Sequence, residues 1–143
     1  MSSSTADQSI TAPNDLMTVW APRMLAVLRI VVALLFIEHG TQKLFSFPVP
    51  PPFPNPAAFS LLWFAAVLEV GGGVLVLIGL FTRPVAIVLA GEMAVAYFMA
   101  HAPRGFFPAV NGGEGAILFC FVFLYLAAAG AGAWSADRAR GSV

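Results

Sequence analysis

Four apolar stretches take up most of this chain, at about 23–45, 58–80, 84–101 and 114–134. Each approaches the roughly 17–25 residues that a helix needs to cross a hydrocarbon core, and none alternates with the period of two that a barrel strand requires. Lipid offers no partner to an unpaired backbone group, so only helices and closed barrels span it. The expected fold is therefore all-α, an integral membrane four-helix bundle. Four such stretches in 143 residues leave too little polar surface for a soluble globule. Only 10% of positions are charged, where a soluble domain carries roughly 25%. Zero net charge without a basic run gives no footprint for nucleic acid.

Punctuation sets the domain limits. Residues 1–21 are rich in Ser, Thr and Asp and read as a flexible tail, 22–135 as the four-helix transmembrane domain, and 136–143 as a short tail. SFPVPPPFPNP at 46–56 is too proline-dense for helix. FTRP at 81–84 reads as a tight turn, with Pro84 suited to the first turn of the next helix. Four crossings put both termini on one side. Arg23, Arg83, Arg138 and Arg140 fall there, against Lys43 and Arg104 opposite. The positive-inside bias then predicts that both termini are cytoplasmic.

Four of the acids are glutamates, Glu38, Glu69, Glu92 and Glu114, each within or at the end of a different apolar stretch. A charge at mid-bilayer costs roughly 2.5–3.5 kcal/mol on insertion scales and normally faces the bundle interior or pairs. Counting about 1.5 Å per residue from the terminal side places Arg29 about 9 Å and Glu92 about 12 Å deep, which predicts a structural ion pair between them. The same count brings His39, Lys43, Glu69, Tyr97, His101 and Glu114 into the outer half. His39 and Lys43 share a face of the first helix at i, i+4, as Tyr97 and His101 do on the third. Ala65, Ala66, Glu69, Gly72 and Gly73 form a stripe of mostly small residues for close packing.

The chemistry these residues permit is narrow. Cys120 is a lone mid-helix cysteine, so no intramolecular disulfide or CxxC pair exists. A di-iron bundle wants Glu-x-x-His pairs; none occurs, and no metal is expected. Two histidines on different helices make haem a lesser reading. The leading one is a polar pocket for a lipid-soluble quinone headgroup, with His, Tyr, Lys and carboxylates handling protons and hydrogen bonds. A scaffold or chaperone whose polar network only holds the helices together is the alternative. Solute transport ranks third, because no broken-helix repeat is evident.

HGTQKLF (39–45), LEVGGG (68–73), GLFTR (79–83), GEMAVAYFMAH (91–101) and above all PRGFFPAVNGGE (103–114) resemble the DoxX family of small four-helix membrane proteins. The resemblance implies a multi-pass protein of a bacterial-type inner membrane, linked in some members to quinone-dependent oxidation of reduced sulfur and in others to membrane redox complexes. Distant relatives look like assembly chaperones. His39, Lys43, Glu69, Glu92, His101, Arg104, Asn111 and Glu114 are the polar positions within the matching motifs. Taken together, His39, Lys43, Glu69, Tyr97, His101, Arg104, Asn111 and Glu114 are the candidate pocket residues. The expected partners are the bilayer, a redox protein that supplies electrons, and a second copy of the chain.

Overall fold

The computed structural model describes residues 15–141, and among them every regular element is helical. Helix α1 spans Asp15–Phe45, α2 Leu61–Ile78 and α3 Thr82–Ala96. The third continues as a π-helical turn, Tyr97–His101, and a 3₁₀ turn, Ala102–Arg104. A short α4, Pro108–Asn111, leads into α5, Glu114–Ala129, and α6 is the short Ala136–Ala139. Three helical spans are long and apolar enough to cross a membrane, Leu16–Phe45, Leu61–Ile78 and Thr82–Arg104, while α5 is a shorter apolar helix.

Local chemistry sets these limits. Ser60 caps α2, its Oγ accepting from the Trp63 N–H at 3.2 Å. At the other end Gly79 adopts φ 67, and the Leu80 and Gly79 amides return to Leu75 O and Val76 O, the double bond of a Schellman cap. Pro84 falls in the first turn of α3, where its missing N–H costs no helical bond.

Two boundaries differ from the sequence reading. Helix α1 begins at Asp15, seven residues before the expected domain start, with Pro22 inside it; residues 1–14 of the expected tail lie outside those described. Proline marks a break only when nothing else holds the helix together. Here the Pro22 carbonyl accepts the Ala133 N–H at 2.8 Å, so the site is a docking point. The fourth apolar stretch ends its helix at Ala129, because Gly130, Gly132 and Trp134 take positive φ. Sixteen residues of helix give about 24 Å. Gly132 is required twice over: its φ is 73, and a Cβ there would lie 2.8 Å from Pro22 O and 3.0 Å from Ala26 N.

Helices α1 and α2 run antiparallel, Gly40 facing Ala66, Glu69 and Val70 while Gly73 faces Ala33 and Ile37. Helix α3 pairs with α5 in the same sense, from Arg83 against Ala127 and Ala128 at one end to Tyr97 against Gly113 at the other. The described chain ends therefore share one end of the molecule, called here the terminal end. The opposite end, with residues 46–60 and 102–113, is the loop end. Buried Ala26, Ala33, Ala66, Ala86 and Ala90 let the backbones approach, as packing in lipid requires. Where α1 meets α5 the space is filled by rings, with Phe36 lying 5.2 Å from Phe119 and 4.8 Å from Phe123. The outside is apolar: Leu35, Phe64, Ile87, Leu118 and Phe121 are all exposed. The small stripe of α2 serves two neighbours, since Gly72 faces Leu89 of α3 while Gly73 faces Ile37 of α1.

Candidate functional site

The ionisable residues of the loop half fall into two groups. In the first, Lys43 near the end of α1 forms an ion pair with Glu69 Oε1 of α2. Glu69 is only 2% exposed, and its burial follows from position, because it lies beside Gly40 where α1 and α2 come closest. His39 and Lys43 are within electrostatic reach of Glu69, and Glu92 of α3 is within reach of both Glu69 and Lys43. Glu69 Oε2 and both oxygens of Glu92 are buried without a hydrogen-bond partner. His39 is exposed on the side of α1, its ring edge-to-face with Phe119 at 5.7 Å.

The second group lies where α3 meets the 102–113 segment. The Tyr97 and His101 rings stack at 6.4 Å, and His101 Nδ1 is 3.2 Å from Asn111 O. Asn111 is buried and works as a clasp, donating from Nδ2 to Gly105 O at 2.8 Å and accepting the Gly113 N–H at 2.8 Å. The close fit needs Gly113, since a Cβ there would meet the Tyr97 ring at 2.6 Å. The π-helical turn brings both rings onto this segment, and such turns often occur at functional sites. Arg104 and Glu114 are exposed and carry no ion pair among the described residues.

The pocket expected from the sequence is thus divided: His39, Lys43 and Glu69 gather on one side, Tyr97, His101 and Asn111 on the other, and Arg104 and Glu114 stand apart. Glu92 joins the first group, which corrects the expected Arg29–Glu92 pair. Depth along a helix gives the level of a residue but not the direction it faces, and Glu92 comes within electrostatic reach of Glu69 and Lys43.

Arg29 is instead fully buried at the terminal end. It donates to Ala131 O through Nε at 2.8 Å, to Val76 O at 2.7 Å and Leu77 O through Nη1, and to Ala133 O at 3.4 Å and Trp134 O at 2.8 Å through Nη2. All five guanidinium N–H groups are thereby used. Two of these carbonyls end α2 and three belong to the irregular stretch after α5. Non-helical backbone at membrane depth needs such partners inside the protein. Arg83 does the same for α5, donating to Ala127 O at 3.0 Å and Ala128 O at 2.6 Å. Asp137 of α6 caps α3 from a distance, accepting the Phe81 and Thr82 N–H groups at 2.8 Å each. Partial burial raises its proton affinity, but these amides and Arg140 outweigh that and hold the carboxyl below its usual range. Sequence reading missed this clasp, because its partners are more than fifty residues apart. Two cavities, about 390 and 440 Å³, also open at the terminal end, away from Glu69 and Glu92. Among the described residues no three His, Cys, Asp or Glu side chains gather as a metal site.

Three helices of membrane-crossing length and hydropathy, with one largely buried ion pair between two of them, define among the described residues an all-helical membrane protein. The DoxX family profile matches residues 24–102. An uncharacterized protein of Haemophilus influenzae is 48% identical over 104 residues, covering 70% of this chain and 78% of its own length. The chain belongs to the DoxX family. No solved structure matches it.

Proposed function

We propose that this protein is a quinone-interacting component of a membrane redox system, with the headgroup received at the Lys43, Glu69 and Glu92 group. In this reading α5 completes four crossings with the help of the stretch after Ala129, both termini are cytoplasmic, and the membrane is a bacterial inner membrane. One observation carries the proposal: three buried carboxylate oxygens without partners, within electrostatic reach of Lys43 and, for Glu69, of the exposed His39. Unsatisfied buried acceptors are costly, and a protonated carboxyl turns into a donor that suits a quinone carbonyl. His39, exposed beside Phe119, meets a headgroup arriving sideways from lipid. Glu69 and Glu92 hold and deliver protons, and Lys43 keeps Glu69 oriented. Electrons come from a redox protein partner, since none of these side chains is an electron carrier.

The test is affinity for a short-chain ubiquinone analogue in mild detergent. Glu69→Ala and Glu92→Ala are each expected to weaken binding about tenfold, the effect of one lost hydrogen bond to a charged or strongly polar group. Unchanged affinity in both overturns the reading. The second reading, a non-enzymatic scaffold or assembly chaperone, is favoured by Arg29, whose clamp joins α1, α2 and the stretch after α5 with no ligand. It predicts no quinone binding at all, and loss of stability in the same two variants.

A further inference from the structure

We infer that the terminal end carries a binding site for the phosphate of an anionic phospholipid. The cavity of about 390 Å³ there is walled by the start of α3, the stretch after α5 and α6, a size within the roughly 300–1,000 Å³ of small-ligand sites. The second cavity adjoins it, sharing Pro22 and Arg138 and adding Arg23 and Trp134.

What makes the site selective is how its negative groups are used up. The cavity wall contains one acid, Asp137, and both its oxygens already accept backbone N–H groups. The carbonyls of Ala127 and Ala128 are taken by Arg83, and those of Ala131, Ala133 and Trp134 by Arg29. The one anionic charge, Asp137, is outnumbered by Arg83, Arg138 and Arg140 on the same wall, and the acceptors that would repel an anion are already occupied from within the protein. The donors are not. Arg138 is exposed and makes no ion pair among the described residues. Arg140 lies over the Phe81 ring at 5.1 Å and Arg23 over Trp20 at 5.3 Å, a stacking that leaves the N–H edge of a guanidinium free for a phosphate. Thr82, fully buried on the cavity wall, is held there by Asp137, which accepts its N–H.

Position selects the source of the phosphate. Exposed Phe81 and Trp134 line one cavity each, and exposed Trp20 lies under Arg23 of the second, as aromatic residues do at the headgroup level, and basic pockets between membrane helices hold anionic headgroups. The inference is independent of the quinone reading, since the two sites lie at opposite ends of the bundle.

The experiment is native mass spectrometry of the full-length, delipidated protein titrated with palmitoyl-oleoyl phosphatidylglycerol, with the phosphatidylcholine of the same chains, or with inorganic phosphate. Phosphatidylglycerol is expected to bind at least tenfold tighter than phosphatidylcholine. Arg138→Gln/Arg140→Gln is expected to lose roughly 30-fold, about fivefold for each charge near an anionic headgroup, with unchanged helical circular dichroism. Arg138→Lys/Arg140→Lys keeps most of the preference. Equal binding of the two lipids, or an unchanged preference in the Gln variant, overturns the inference. Binding of inorganic phosphate that displaces the lipid overturns its assignment to lipid.

Discussion

Replacing Arg29 by methionine removes all five of its hydrogen bonds while keeping the stem that fills the core. The cost can be worked from what each carbonyl has left. Val76 O keeps the Gly79 N–H, and the bond to Ala133 O is long at 3.4 Å. Leu77, Ala131 and Trp134 then lose a charged donor each. A buried acceptor left unpaired costs about 1–3 kcal/mol, so three give about 3–9 kcal/mol before the saving from no longer burying a guanidinium. The net expectation is about 3–5 kcal/mol, the scale of a broken buried ionic contact. Arg29→Lys keeps the charge but offers three donors from one point, so it should fall between. The assay is unfolding of the detergent-solubilised protein by titrated dodecyl sulfate, followed by circular dichroism. A double-mutant cycle with Glu92→Gln separates this from the ion pair that depth alone suggests. Coupling should stay within about 0.5 kcal/mol, as for sites without shared partners. Coupling above about 1 kcal/mol, or an Arg29→Met variant within about 1 kcal/mol of the parent, would refute the carbonyl clamp.

Asp137→Ala should cost about 1–2 kcal/mol as a lost helix cap. Because its carboxyl is held below the usual 3.8, its contribution is present above that value and fades as pH falls through the lowered one. Unfolding measured across that acid range should show this limb in the parent and not in the variant. Lys43→Met leaves Glu69 buried and unpaired, and should cost about 3–5 kcal/mol in the same unfolding assay. Lys43→Met/Glu69→Gln should recover much of that loss, and a double variant as weak as the single would refute the unpaired carboxylate as the source of the cost.

Much of the architecture is legible along the chain, because membrane helices must satisfy their own backbone and so announce themselves by length and hydropathy. The three spans and the FTRP turn follow from that rule. The caps at Ser60 and Gly79 are local too. The candidate site was legible only in part. Residue type and depth put Lys43, Glu69 and His39 in one group with Tyr97, His101 and Glu114, and the same count placed Glu92 with Arg29. Rotation about the helix axis, which an apolar stretch encodes weakly, decided otherwise. Tyr97 and His101 separated from Lys43 because the π-helical turn carries their rings onto the 102–113 segment, a deviation no periodicity announces.

By itself the sequence determined that this chain is all-helical, built for lipid, and in possession of ionisable groups that lipid makes costly. Those are consequences of composition and of order over twenty residues. Only the tertiary structure decided what the costly groups do. Arg29 serves carbonyls about fifty and a hundred residues away, Asp137 caps a helix that starts fifty-five residues earlier, and Glu69 of one helix pairs with Lys43 of another. Each contact depends on which faces are brought together, and a buried polar group takes whatever partner that meeting supplies.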